Sequence, residues 1–225
     1  MYIVATIRPW HIELYRRELP FWDGDWRLVT SPDELNALLV QSEPRYVFFP
    51  HWSWKVLEEI WRDIECVCFH ETLVPFGRGG SPIQNMIEHG YDETVISALR
   101  MVEELDAGPV YCQSPLSLHG SGEEIFIRSA EIIRDMILYI VKNEPKPSQQ
   151  IADVPPFKFK RREPWQSEIP GVGYRGLIAL FDHIRMLDAA EYPRAFMEYG
   201  GWRFEFSRPA LRVGRIEADV RITEC

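Results

Sequence analysis

Through its first 143 residues the chain alternates short apolar runs with helix-start signals, and this alternation restricts the fold more than any other feature. Tyr2 to Ile7, Tyr46 to Phe49, Ile64 to Phe69, Thr94 to Met101 and Val110 to Leu116 read as strands, the second closed by Pro50. Between them, Ser31-Pro32-Asp33-Glu34 reads as an N-cap, a first helical residue and a capping box. Ser81-Pro82 reads as another start that Gly90 ends, and Ser121-Gly122-Glu123-Glu124 opens a long helix. In that helix Phe126, Ala130, Ile133, Ile137 and Ile140 step by four and three, which makes one apolar face. Strands alternating with helices at this spacing predict an α/β fold: a twisted, mostly parallel sheet with helices on both faces.

From Asn143 the texture changes. Pro145, Pro147, Pro155, Pro156, Pro164 and Pro170 mark an irregular crossing segment. A helix from about Arg175 to Leu187 follows. Trp202, Phe204 and Phe206 then alternate with Arg203, Glu205 and Ser207, a strand with one buried face, and Leu211 to Ile222 reads as its hairpin partner. The division is a core at 1–143 and a proline-rich crossing, helix and β-hairpin at 144–225 that complete a site or an interface. The hairpin face buries within the chain or across a homodimer, and periodicity does not separate the two.

At 225 residues the chain can bury roughly 70% of its unfolded surface, so its core needs no disulfide or metal staple. Four scattered cysteines agree with that. The longest apolar run, Met136 to Val141, is far short of the ~20 residues a membrane span requires, and no leader pattern opens the chain. The expectation is a soluble cytoplasmic protein with no membrane partner. The net charge is −9. Residues 1–150 carry 13 basic and 23 acidic side chains, a net of −10, and residues 151–225 carry a net of +1. Long nucleic acid calls for a basic excess that displaces counterions, so a phosphate-bearing partner is expected to be small.

The residue types that carry chemistry concentrate between Cys66 and Val110. His70 closes a strand, where an open α/β sheet places its ligand crevice. The loop after it, with Gly79 and Gly80, allows close backbone approach before the next helix. Asp106 lies in a turn after another strand and can return to the same crevice as an acid–base partner. Cys66, Cys68 and His70 alternate along one strand and share a face; neighbouring strand residues diverge, so buried cysteines explain them better than a metal site, and no metal is expected.

The order His70-Glu71-Thr72-Leu73-Val74-Pro75, Arg78-Gly79-Gly80-Ser81-Pro82-Ile83-Gln84, then Thr94 and Leu105-Asp106-Ala107-Gly108, resembles the folate-dependent formyltransferase domain. The resemblance covers about residues 46–142, is weaker in Lys160-Arg161-Arg162-Glu163-Pro164 and in Phe181 to Phe196, and reaches only strand–helix order in 1–45. It implies a Rossmann-like core, 10-formyltetrahydrofolate as formyl donor, an amine as acceptor, and a catalytic Asn, His and Asp. The His falls on His70 and the Asp on Asp106; the Asn position is Cys68, whose thiol is a much weaker donor for a carbonyl oxygen. In the implied mechanism His70 stabilises the developing oxyanion and Asp106 orients His70 and accepts the amine proton. Leu73, Val74, Pro75, Arg78, Gly79, Gly80, Ala107 and Gly108 would hold the donor, with Arg78 shaping the loop.

Three features keep two readings each. Trp52 and Trp54 line a ligand pocket or fill the core and its rim. Lys158, Lys160, Arg161 and Arg162 hold a diphosphate, as Lys160 and Arg161 would for a substrate, or form a solvated face. Asn85 supplies the missing amide, or nothing does. His11, His89, His119 and His183 show no partner pattern. The string from His70 to Pro82 looks closest to short formyltransferases of surface-sugar biosynthesis. The expected acceptor is therefore a small-molecule amino sugar, nucleotide-linked, and not long nucleic acid. The alternatives are a methionyl-tRNA-type or other amine formyltransferase, and a non-catalytic relative of that domain in which Cys68 has replaced the Asn.

Overall fold

The computed structural model describes residues 1–151, 157–170, 176–190 and 192–225. Pro155, Pro156 and Arg175, read above as part of the crossing and as a helix start, lie outside the described residues. In chain order the elements are β1 (Tyr2–Ala5), α1 (Pro9–Glu18), β2 (Trp26–Val29), α2 (Pro32–Gln41), β3 (Tyr46–Phe49), α3 (Glu58–Asp63), β4 (Cys66–His70), β5 (Arg78–Gly79), α4 (Pro82–Glu88), β6 (Glu93–Arg100), β7 (Val110–Ser117) and α5 (Gly122–Asn143). They continue with β8 (Lys158–Phe159), α6 (Leu177–Met186), β9 (Phe196–Tyr199), β10 (Trp202–Arg212) and β11 (Arg215–Glu224).

The chain forms two units, each drawn from three stretches: Met1–Gly79, Val95–Leu116 and Ile127–Lys158 in the first, Gly80–Thr94, Ser117–Phe126 and Phe159–Cys225 in the second. The first unit is built on a six-stranded sheet in the order β2-β1-β3-β4-β6-β7. Pairings β1–β2, β1–β3 and β3–β4 are parallel and β4–β6 is antiparallel. Every residue of β3 is buried, which requires cover on both faces of the sheet. On one face Tyr2, Trp26, Tyr46 and Phe48 stack; on the other Ile3, Ala5, Val29, Val47, Phe49 and Cys66 form a core cluster. Along α5, Ile133, Ile137 and Ile140 are fully buried, as their spacing predicts.

The caps show how locally these helices start. Ser31 Oγ accepts from Glu34 N–H at 3.2 Å, but the Glu34 carboxylate reaches past the cap to Thr30 N–H at 2.6 Å. In the second unit the Ser121 box is reciprocal: Glu124 N–H donates to Ser121 Oγ (3.2 Å) and Ser121 N–H to Glu124 Oε2 (2.8 Å). Ser81 departs from its expected role. Its φ is +52°, its side chain makes no cap bond, and its Oγ accepts from Arg162 N–H at 3.2 Å.

The C-terminal part of the second unit is a three-stranded antiparallel sheet, β11-β10-β9. Two expectations change here. Leu211 and Arg212 belong to β10, because the hairpin turns at Val213-Gly214, where Gly214 supplies φ +73°. Trp202, Phe204 and Phe206 do not form a buried face: Trp202 is 47% exposed and the other two are half-buried, as are Arg203 and Glu205. α6 packs against β10 but covers only part of the ribbon, and β11 is almost wholly exposed.

Candidate active site

β4 runs through the middle of the sheet, so its last residue is delivered to the sheet edge in a fixed direction. His70 is 4% exposed and pairs in register with Ser97 of β6. Its Nε2–H donates to the Gly77 carbonyl at 2.8 Å, since a carbonyl can only accept. That bond leaves Nδ1 facing Asp106 Oδ2 at 3.5 Å. The proton on Nε2 is therefore committed, and any charge-assisted contact with Asp106 requires a second proton between Nδ1 and the carboxylate.

Asp106 reaches this position from a tight turn. Its φ is +56°, its side chain is 10% exposed, and its Oδ2 accepts the Gly79 N–H at 2.9 Å. Gly79 has φ +111°, which suits a residue without Cβ and aims its amide at the carboxylate. Gly108, in the same turn, has no room for a side chain: a Cβ would lie 1.7 Å from the Arg100 carbonyl oxygen. Ala107 N–H closes the turn on Glu104 O at 3.2 Å.

Cys68 sits two residues before His70 on the same strand, half-buried between Phe49 and Leu99 in register. Burial, with the Asp106 charge adding to it, pushes its thiol far above the ordinary value. The sulfur is thus held as a thiol, a poor nucleophile. Asn85 does not replace the missing amide. Its Nδ2 donates to the carbonyls of Gly80 (2.9 Å), Ser81 (2.9 Å) and Lys160 (3.3 Å), so it holds backbone instead.

The loop residues divide by exposure. Leu73 is 55% exposed, and Leu105, just before Asp106, is 70% exposed, whereas Val74 is buried and Pro75 follows it through a cis peptide bond. Arg78 is buried, donating to Gln150 Oε1 and lying 3.6 Å from Glu104. Trp52 packs on Phe49 and edge-on to Trp54. In the second unit Gly80 lies against Arg161, whose Cα a Cβ would approach to 2.5 Å. Lys160 and Arg161 are exposed; Lys158, in the first unit, is paired with Glu104, and Arg162, in the second, with Glu88. Arg162, Trp165, Asp182 and His183 help to line a cavity of about 620 Å³ in the second unit, which neither Lys160 nor Arg161 lines.

Several residues escaped the sequence reading. His51 Nε2 lies 2.6 Å from Glu71 Oε1, and His51 Nδ1 shares a 2.8 Å hydrogen bond with His11 Nε2. Burial would raise the Glu71 carboxyl, but the charge and hydrogen bond of His51, together with His70, hold it below the usual range. Burial lowers His11 well below its ordinary value, with His51 and Arg8 adding to the effect. No spacing in sequence links residues 11, 51 and 71; only three neighbouring strands of one sheet bring them together. Among the described residues no group of three His, Cys, Asp or Glu side chains could hold a metal ion, and no helix is long and apolar enough to cross a membrane.

A mostly parallel sheet that presents a His–carboxylate pair at a strand end is the frame of an α/β protein suited to acid–base chemistry. A family model described as "Methionyl-tRNA formyltransferase, C-terminal domain" matches residues 164–223. The structure of a methionyl-tRNA formyltransferase from Clostridium thermocellum is 40% identical, with a TM-score of 0.89, covering 100% of this chain and 99% of that one. The methionyl-tRNA formyltransferase of Mesoplasma florum is 27% identical over 162 residues, 69% of this chain and 50% of that protein. The chain thus spans about half the length of this curated relative. A sugar N-formyltransferase from Shewanella sp. shares the fold at 14% identity, with a TM-score of 0.64, covering 92% of this chain and 96% of that one. The chain belongs to the formyltransferase family.

Proposed function

We propose that this protein is an N-formyltransferase that moves a formyl group from 10-formyltetrahydrofolate to the amine of a nucleotide-linked amino sugar. The observation that carries the reading is the Asp106 carboxylate held by the Gly79 amide and facing His70 Nδ1 at 3.5 Å. The donor suits the residues present: Leu73, three residues after His70, and Leu105, next to Asp106, are exposed and offer apolar surface for a planar ring near the acid–base pair. When bound, that donor supplies an activated formyl carbon.

The chain's own residues then manage protons and charge. Asp106 Oδ2 is occupied, so Oδ1 takes the proton that an attacking amine must lose. His70, its ring held between the Gly77 carbonyl and Asp106, offsets negative charge developing on the carbonyl oxygen, and Asp106 orients that ring. The Cys68 thiol stands where an amide would aid the oxygen, and it contributes weakly. The bond from the amine nitrogen to the formyl carbon would form as the donor's own C–N bond breaks, and the proton taken by Asp106 would pass to the departing donor nitrogen, so the transfer is direct, without a thioester on Cys68.

For the acceptor, the charge of −9 and the pairing of Lys158 and Arg162 leave Lys160 and Arg161 as exposed cations of that run. Two cations match a diphosphate better than a long polyanion. The second reading, a methionyl-tRNA acceptor, is favoured by the 40% identity to the Clostridium thermocellum structure over the whole chain. Purified protein with 10-formyltetrahydrofolate, offered nucleotide-linked amino sugars in one arm and methionyl-tRNA in the other, tests both. Formylation of the sugar alone is expected. Formylation of methionyl-tRNA alone replaces the sugar reading, and no transfer in either arm favours a non-catalytic relative.

A further inference from the structure

One side chain outside the motifs ties together the two loops that carry the site. The amide Nε2 of Gln150 donates to the carbonyls of Asp106 and Gly108, both at 2.8 Å. Its Oε1 accepts from Arg78 Nε at 3.1 Å and Arg78 Nη2 at 2.8 Å. These bonds use both donors and both lone pairs of the amide. Gln150 is itself anchored two residues upstream, where Val110 N–H donates to Ser148 O (2.7 Å) and Ser148 N–H to Val110 O (2.9 Å).

The turn that Gln150 grips needs holding. Asp106 has φ +56°, a left-handed conformation that a non-glycine residue keeps only when its surroundings determine it. The carboxylate of that residue must also meet Gly79 N–H and His70 Nδ1 at once. We propose that Gln150 is a positioning residue: by holding the Asp106 and Gly108 carbonyls it fixes the turn, and through the turn the separation of the Asp106 carboxylate from His70. The role rests on the reading of His70 and Asp106 as the acid–base pair.

Three variants of the full chain test it. Gln150→Met removes every bond with little change of shape. Gln150→Glu keeps an acceptor for Arg78 but has no N–H for the two carbonyls, so it separates the grip on the turn from the anchoring of Arg78. Gln149→Met, at the exposed neighbouring residue, is the control. Both Gln150 variants are expected to lower kcat by about tenfold or more, as small misplacements of reacting groups do. The donor KM should change less than about threefold. The limb of the kcat–pH profile governed by the pair should move, and the control should match the native protein. Wild-type kcat in Gln150→Glu overturns the proposal, as does a loss confined to thermal stability with turnover per folded molecule unchanged. If the native protein transfers no formyl group, the functional reading fails by itself, and the grip is judged by NMR titration of the His70 ring. A shifted midpoint in Gln150→Glu, absent in Gln149→Met, supports it; an unshifted midpoint overturns it.

Discussion

His70 has one proton tied to Gly77 and one nitrogen turned toward Asp106, so the roles proposed for the two are coupled. His70→Ala and Asp106→Asn are each expected to lower turnover by at least ~100-fold, the scale of a positioned acid–base group. The double variant should be no worse than the poorer single, and steady-state rates that multiply instead would refute the shared role. Cys68 makes the opposite case. Since burial and the Asp106 charge keep its thiol protonated, Cys68→Ala should cost about 1 kcal/mol in transition-state stabilisation, and Cys68→Asn should retain or raise transfer. A dead Cys68→Ala, with a formyl mass gain on native protein incubated with donor alone, would establish a covalent route. The approach of Asp106 to His70 was anticipated from residue order, whereas the reading of Cys68 at an amide position came only from the family resemblance. The commitments of Asn85 and Gln150 were not, because an amide's partners depend on which backbone carbonyls the fold brings within 3 Å or so.

Among the elements, those with local signals formed where the signals stood. The reciprocal box at Ser121 starts α5, and the step of Ile133, Ile137 and Ile140 buries one side of it. Ser121→Ala removes both bonds of the hydroxyl, accepted from Glu124 N–H and donated to Glu124 Oε2 at 3.1 Å, and it is expected to destabilise the protein by about 1 kcal/mol with no change in donor affinity. Denaturant unfolding beside calorimetric titration with a folate analogue checks this; an unchanged midpoint would mean that α5 is set by packing alone. The Gly200-Gly201 pair before β10, both at positive φ, was a readable hairpin signal between β9 and β10 that the strand pattern obscured. Ser81 shows the reverse error. It has an N-cap's sequence, yet Arg162 N–H claims its Oγ, and a local propensity yields to a tertiary partner.

Over the whole molecule, the buried histidines make stability depend on pH. Burial lowers His11, helped by His51 and Arg8, and burial lowers His183 against the opposing Ser167 carbonyl. A folded-state value below the ordinary 6.5 means that the unfolded chain binds a proton which the folded chain refuses. Stability should therefore fall as pH drops through 6.5 and flatten below the folded values. Glu71 adds a second decline at lower pH: its depressed carboxyl contributes stability that is fully present above the ordinary carboxylate range and is lost as pH falls through its own value. Melting temperatures measured downward from neutral pH should show the histidine slope reduced in His11→Phe. Equal slopes in the two proteins would remove His11 from the account.

The sequence by itself determined the alternation of strands and helices, the cap at Ser121, the apolar face of α5, and the order of His70, the Gly79 loop and Asp106. Each is a matter of a few neighbouring residues, where sterics, capping and periodicity act directly. Only the tertiary structure decided that His51 joins Glu71 to His11, that Asn85 is spent on backbone, and that Gln150 grips the Asp106 turn. Apart from the two local bonds of Asn85 to Gly80 and Ser81, those contacts join residues 20 to 75 positions apart, a range that only the tertiary fold closes. The open ribbon of β9, β10 and β11 belongs with them, since alternation in sequence marks two faces but cannot say what, if anything, covers either one.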